Sequence, residues 1–325
     1  MPAQDIRHTD HRILVSAPAE TLYRLVADVG GWPHLFTPTV HAERVDGDDR
    51  RERIRIWAFA NGEVRTWTSL RELDPAARRV EFRQEVSQAP VASMTGNWTM
   101  NPAADGRTEV VLGHSFAAVG DSAPDLAWID RAVDRNSRSE LACLQEIAER
   151  HPGLDELLLS FEDTVLVRGP RAEAYEFIRR CELWPERLPH VARLELTEPA
   201  DGIQQMVMDT RAPDGTTHTT ESVRVCLPDR IVYKQTVLPP VMAAHTGAWT
   251  FEETAEGVAA TSHHTVVLRA EAVPALLGPD ATLEQARAAV RAALGANSRT
   301  TLEHARALVE SGEGPKTGPG SGPGR

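Results

Sequence analysis

One pentad occurs twice in this chain. Thr95-Gly96-Asn97-Trp98-Thr99 and Thr246-Gly247-Ala248-Trp249-Thr250 share the pattern Thr-Gly-x-Trp-Thr, and their tryptophans stand 151 residues apart. A self-similarity of that period indicates two copies of one domain, not a stack of short repeats. Further pairs keep the same order. Pro18, Tyr23, Val26, Trp32 and Pro33 meet Pro170, Tyr175, Ile178, Trp184 and Pro185 at an offset of 152. Ser69 and Arg71 meet Ser222 and Arg224 at 153, and Asn136-Ser137-Arg138 meets Asn297-Ser298-Arg299 at 161. The offset drifts by single residues and then jumps, as loop insertions produce. The expected division is 1–152, 153–311 and a Gly/Pro-rich tail, 312–325, expected to be disordered.

The 325 residues suit two domains of about 150 residues. No run approaches the ~20 apolar residues of a membrane span, and residues 1–10 carry no apolar signal core. Cys143, Cys181 and Cys226 are odd in number and far apart, which reads as reduced thiols of a cytoplasmic protein. The net charge of −12 disfavours a nucleic-acid binder. Arginines 50, 51, 53 and 55 form a local basic spot, read either as a solvated strand edge or as a landing patch for an acidic partner. No Cys/His spacing suggests zinc: His263-His264 are adjacent on a strand and face opposite ways.

Each copy has the same pattern. A strand leads to a proline-started helix, Pro18 in one copy and Pro170 in the other. Trp32-Pro33 or Trp184-Pro185 then opens a short second helix. Strands follow, broken by tight turns such as Asn61-Gly62, Asp105-Gly106 and Glu256-Gly257, which make an antiparallel meander. A long helix closes each copy, from about Asp125 to Arg150 and from about Asp280 to Glu310. The expected class is α+β.

Alternation assigns faces. Along 65–73, Arg65, Trp67, Ser69, Arg71 and Leu73 share a side, and burial of a Trp makes that the inner one. In the second copy His218, Thr220, Ser222, Arg224 and Cys226 share the corresponding face. A polar strip there is costly unless it meets a partner, ligand or water; the competing reading of Arg71 and Arg224 is an outer-face surface ion pair. On the long helices Ile129, Val133, Asn136, Glu140 and Leu144 form one seam, and Val290, Leu294, Asn297 and Thr301 the other. Asn136 and Asn297 are read as cavity-facing or as satisfied by backbone. His114 faces inward with Leu112 and Phe116 and is the proton-transfer candidate; His263 is read as its neighbour in the second copy. Trp32, Trp98, Trp184 and Trp249 are read as core and cavity wall.

The strand, paired helices, meander and long helix resemble the helix-grip fold of the START or Bet v 1-like superfamily. That resemblance implies a cavity between sheet and helix. Trp-Pro-x-Leu-Phe at Trp32 to Phe36, Trp67-x-x-x-Arg71, Gly96-x-Trp98-Thr99 and Asn136 are similar to the aromatase/cyclases of bacterial type II polyketide synthases, and their duplication to the didomain members. The resemblance spans about residues 8–311. It implies aldol closure of the first ring, C7–C12, of a ketoreduced poly-β-ketone, followed by dehydration to an aromatic ring. The substrate would arrive on an acyl carrier protein through phosphopantetheine, alongside other synthase subunits, and no metal or redox cofactor is implied. Arg71, His114, Ser69 and Arg224 are the expected catalytic set. Trp32, Phe36, Arg65, Trp67, Trp98, Asn136, Trp184, Ser222, Trp249, His263 and Asn297 are the expected substrate contacts. The chain departs from single-domain members at Pro38-Thr39, Arg65 and His114, where those carry Glu-Tyr, Trp and Gln. The first copy is taken as the cyclising pocket, the second as structural or as serving a later step. The rival readings are a ligand carrier of the same fold and a scaffold with collapsed cavities.

Overall fold

The computed structural model describes residues 5–150, 154–211 and 215–312; the expected disordered tail lies outside them apart from Gly312. The chain divides into two compact units between Leu154 and Asp155. In the first unit, β1 (Arg7–Val15), α1 (Ala19–Ala27) and α2 (Trp32–Leu35) precede six strands: β2 (Thr39–Gly47), β3 (Arg51–Ala60), β4 (Glu63–Asp74), β5 (Arg79–Val86), β6 (Val91–Pro102) and β7 (Thr108–Ala118). Helix α3 (Ala123–Arg150) ends the unit. The second unit runs α4 (Leu154–Leu157), β8 (Leu158–Val167), α5 (Arg171–Arg179), α6 (Trp184–Arg187), then β9 (Val191–Ala200), β10 (Ile203–Arg211), β11 (Thr217–Cys226), β12 (Arg230–Val237), β13 (Met242–Thr254) and β14 (Gly257–Leu268). A short α7 (Val273–Leu277), which the sequence reading did not include, leads into α8 (Leu283–Ser311).

Each unit holds one seven-stranded antiparallel sheet with its first strand closing on its last: β1-β7-β6-β5-β4-β3-β2 and β8-β14-β13-β12-β11-β10-β9. Tight turns enforce this order. Asn61 and Gly62 both have positive φ, 54° and 88°, as a two-residue hairpin matching strand twist requires. The long helix packs across the sheet, α3 against β1 and β7 and α8 against β8 and β14, the helix-grip arrangement. Helix α8 begins with a capping box in which Thr282 Oγ1 accepts from Gln285 N–H and the Gln285 side chain accepts from Thr282 N–H.

In the first unit the apolar core is interrupted. One cluster joins Val15, Leu22, Trp98 and Leu144; a second gathers Val29, Ile54 and Ile56; a third gathers Phe116, Leu126 and Ile129. The space between them is left to larger polar and aromatic side chains.

The repeated glycine has a steric cause. A Cβ on Gly96 would lie 2.1 Å from the Gly113 carbonyl oxygen and 2.4 Å from Phe82 Cζ; on Gly247 it would lie 2.4 Å from Tyr233 Oη. An aromatic ring of the neighbouring strand lies across each glycine. We expect Gly96→Ala to cost about 1–3 kcal/mol through overpacking, read by denaturant unfolding; an unchanged midpoint would contradict this close approach.

Candidate functional site

The first unit encloses two adjoining chambers of about 130 and about 90 Å³. Trp32, Trp67, His114 and Glu140 belong to the walls of both. Arg65 and Asn136 line the larger chamber; Phe36, Ser69, Arg71 and Trp98 line the smaller. Inner-face alternation along β4 therefore holds. The aromatic wall is rigid: Phe36 stacks on Trp98 at 5.9 Å and meets Trp32 edge-on at 5.6 Å.

Arg71 is 1% exposed, which removes the surface ion-pair reading. It has a task that alternation did not reveal. Nη2 donates to the Val26 and Ala27 carbonyls at 2.9 and 3.2 Å, at the C-terminal turn of α1. The guanidinium lies 4.9 Å from the Trp32 ring centroid, and Trp32 Nε1 itself donates to Val26 O at 3.0 Å. A buried cation thus satisfies helix-end carbonyls and the negative end of the dipole. Glu52, facing it across the β3–β4 ladder, makes an ionic contact at 3.0 Å without hydrogen-bond alignment. Burial pushes the Glu52 carboxyl up and Arg71 down to about 10, each opposed by the other's charge, and Arg71 stays cationic at neutral pH. The same clamp recurs in the second unit. Arg224 Nη2 donates to Ile178 O at 2.5 Å at the end of α5, and its guanidinium lies 5.3 Å from Trp184. The position opposite is the neutral Gln204. Nη2 of each arginine is anchored on helix-end carbonyls, while Nε and Nη1 of Arg71 are buried without a hydrogen-bond partner.

His114 and Glu140 carry the acid–base character of the first cavity. His114 Nδ1 is buried and has no hydrogen-bond partner. Burial, assisted by the charge of His11, pulls its pKa down to about 4, so the ring is a neutral proton acceptor. Burial alone pushes the Glu140 carboxyl up to about 8, so it is a protonated acid at neutral pH. Sequence reasoning had Glu140 on the seam but gave it no role; a carboxylate in step with Ile129, Val133 and Leu144 was the available signal. Asn136 donates through Nδ2 to Phe59 O at 2.7 Å while lining the larger chamber, so both of its expected roles apply. Arg65 donates to Ala89 O at 3.3 Å and lies over Trp128.

The depressed His114 pKa has a sign. The unfolded histidine, titrating near 6.5, binds its proton first, so stability is lost as pH falls from about 6.5 through about 4. Relative to His114→Gln, the parent is expected to lose up to about 1.4 kcal/mol per pH unit across that window. Parallel denaturant titrations at pH 4.5, 5.5 and 6.5 check this; a constant difference would refute it.

The second unit holds a cavity of about 120 Å³, with Trp184, Ser222, Arg224, Trp249 and Asn297 in its wall, as expected. His263 is a correction. Its side chain is 41% exposed, 3.2 Å from Glu162 and 3.0 Å from Thr250 Oγ1, on the outer face. The inward residue is His264, which faces Gly247 as His114 faces Gly96. The hairpin between β13 and β14 is one residue shorter than that between β6 and β7, so the offset of 151 at the glycines becomes 150 at the histidines. A one-residue slip exchanges the two faces of a strand.

Two of the four arginines of the basic spot are paired with carboxylates. Arg51 pairs with Glu72 at 2.6 Å, and Arg53 with both Asp46 and Glu85. Among the described residues no group of His, Cys, Asp or Glu is arranged to hold a metal ion, the three cysteines are free, and no helix is long and apolar enough to cross a membrane.

A family model described as polyketide cyclase / dehydrase and lipid transport matches residues 7–149 and again residues 159–310. The chain is 47% identical over 307 residues to the granaticin polyketide synthase bifunctional cyclase/dehydratase of Streptomyces violaceoruber, spanning 94% of this chain and 95% of that one. It is 48% identical over 310 residues to the actinorhodin polyketide synthase bifunctional cyclase/dehydratase of Streptomyces coelicolor, spanning 92% and 96%. Two crystal structures are similar across both units: the di-domain ARO/CYC BexL from the BE-7585A biosynthetic pathway, at 52% identity and TM-score 0.81, and the di-domain ARO/CYC StfQ from the steffimycin biosynthetic pathway, at 38% and 0.80. Each alignment covers 94% of this chain and 99% of the other.

Proposed function

The chain belongs to the polyketide cyclase/dehydrase family, and from that premise we propose that its first cavity closes and dehydrates the first ring of a ketoreduced poly-β-ketone, joining C7 to C12, while the chain remains on an acyl carrier protein. The observation that carries this reading is a neutral imidazole and a protonated carboxyl in the walls of the same pair of chambers. Methylenes between two carbonyls enolise readily, so the catalyst's first task is to select one fold of the chain, which shaped walls of Trp32, Trp67 and Trp98 do by proximity. Arg71, held cationic beside the smaller chamber, supplies positive potential where enolate and aldolate oxygens form. Arg224 offers the second cavity the same potential.

Dehydration then uses both neutral groups. His114 Nδ1 takes the proton from the carbon next to the carbonyl. Those electrons form the new C=C bond. The β-hydroxyl departs as water with the Glu140 proton, and the imidazolium returns its proton to the Glu140 carboxylate. Substrate loses one water and the enzyme is restored without a cofactor. Ser69, buried in the smaller chamber wall, is a further hydroxyl for proton passage. The neutralised Arg51 and Arg53 leave carrier-protein docking to other surfaces or to rearranged pairs.

Reconstitution with a minimal synthase and ketoreductase tests the reading. The parent chain is expected to yield the dehydrated C7–C12 product, and His114→Gln to divert flux to unclosed or hydrated shunt products. The same product spectrum from parent, His114→Gln and a reaction lacking the protein would end it.

A further inference from the structure

The second cavity carries protic groups that the first lacks. Strand register equates Phe82 with Tyr233, each facing its repeated glycine, and Leu112 with Ser262, each facing its repeated tryptophan. Met94 and His245 stand two residues before those glycines. Tyr233, His245 and His264 all line the cavity. Tyr233 Oη lies 3.0 Å from His264 Nδ1, His245 Nε2 lies 3.0 Å from the same nitrogen, His264 Nε2 lies 2.9 Å from Ser262 Oγ, and His245 Nδ1 lies 2.9 Å from Gln235 Oε1. Phe161 stacks on His264 at 4.8 Å and fixes its plane.

The network assigns the protons. With Gln235 Oε1 facing it, His245 Nδ1 carries its hydrogen and His245 Nε2 accepts, either from His264 Nδ1–H at 3.0 Å or from the Tyr233 hydroxyl at 3.5 Å. His264 Nε2 then accepts from Ser262. The Tyr233 oxygen accepts from His264 Nδ1–H at 3.0 Å, and among the described residues its own hydrogen has only the long 3.5 Å contact to His245 Nε2. An oxygen in the cavity is a better acceptor for the Tyr233 hydroxyl hydrogen than that long contact. A second assignment follows at His190. Thr301 Oγ1 donates to Asn297 O at 3.0 Å, so its 3.5 Å contact with His190 Nε2 is one in which it accepts. His190 Nδ1 is then a buried acceptor, and it has no donor. His190 lines the same cavity.

A buried phenol whose hydrogen has only a 3.5 Å contact and a buried acceptor without a donor are costly in an empty site. We propose that the second cavity is a binding site for a ring bearing two oxygen substituents, one accepting from Tyr233 Oη–H and one donating to His190 Nδ1: a dihydroxyarene or its enol tautomer. At about 120 Å³ the cavity is of the same order as the roughly 150 Å³ that admits benzene, a scale of one ring and not of a fused polycycle. Trp184, Met206 and Trp249 supply the apolar wall. Only the source of such a ring rests on the function proposed for the first cavity; the binding site does not.

Titration calorimetry of the full chain with resorcinol and with 1,3-dimethoxybenzene, which accepts but does not donate, tests this. The parent is expected to bind resorcinol. Tyr233→Phe should weaken both ligands about tenfold, the loss of one hydrogen bond to a buried group. His190→Leu should weaken resorcinol and spare the dimethoxy compound. Thr220→Trp, which installs the residue the first unit has as Trp67, should abolish the site while its thermal midpoint shows a folded chain. Absence of binding by the parent, or equal resorcinol binding by parent, Tyr233→Phe and Thr220→Trp, overturns the proposal. Failure of the ring-closure reading would appear separately, as an unchanged product spectrum with resorcinol binding intact.

Discussion

Glu140→Gln is expected to lower formation of the dehydrated product by about 100- to 10,000-fold, the usual contribution of a positioned proton donor, while leaving the protein folded. The carboxyl sits at about 8 because burial disfavours its charge and no cation compensates. Glutamine matches the shape of the protonated acid but delivers no proton to a departing hydroxyl. Stability moves the other way. In the unfolded chain the carboxyl ionises near the ordinary value of 4.5, so as pH rises from there to about 8 the unfolded state gains and the parent loses stability. The amide escapes that loss, so Glu140→Gln should equal or exceed the parent's unfolding free energy at pH 8. A merely structural Glu140 would leave dehydration unimpaired while keeping the same pH-dependent difference, and absence of that difference would show that the carboxyl is not raised. Products differing by the mass of one water, quantified beside denaturant titrations at pH 5 and 8, separate the cases.

Arg71→Ala should destabilise the first unit by about 3–5 kcal/mol, the cost of leaving one member of a buried ion pair alone. Glu52 is 5% exposed and would keep only the more distant Arg44, at 3.9 Å, the Ala27 carbonyl would lose its arginine donor, and the Val26 carbonyl would keep only Trp32 Nε1. The internal control is Arg224→Ala. Opposite it stands Gln204, already neutral, so the loss there should be clearly smaller. The double variant Arg71→Ala/Glu52→Gln should recover part of the first loss. Equal costs for Arg71→Ala and Arg224→Ala, or no recovery in the double variant, would show that charge pairing is not what holds this corner. An activity defect in Arg71→Ala must be read beside its stability, since the same side chain ties α1 to the cavity wall.

The duplication, the sheet order and the inward face of β4 were legible because each leaves a local mark: repeated motifs, Asn-Gly turns, period-two alternation. The long helices were legible from their seams. The functions of Arg71 and Arg224 were not, because pairing to helix-end carbonyls depends on where α1 and α5 pass over the sheet. Burial of Ser69 and Arg71 followed from the alternation; their partners did not. Glu140 was placed correctly but left without a role, since its raised pKa comes from the absence of a nearby cation, which spacing does not reveal. Tyr233, His245 and His190 leave no local mark in the sequence, because they lie on separate strands and a loop and meet only in the cavity. A constant offset puts His263 on the inner face, and the shorter β13–β14 hairpin moves that position to His264.

That shortened hairpin bears on any exchange of segments between the two halves. A chimera joined before the β6–β7 or β13–β14 turn must be aligned with one frame, and a chimera joined after it with another. Splicing the last strand by the numbering that suits the tryptophans would present His263 to the interior and turn His264 out to water. The resulting polypeptide would hold every expected residue and lack a working pocket, so an inactive hybrid built on that frame says nothing about whether the halves are interchangeable.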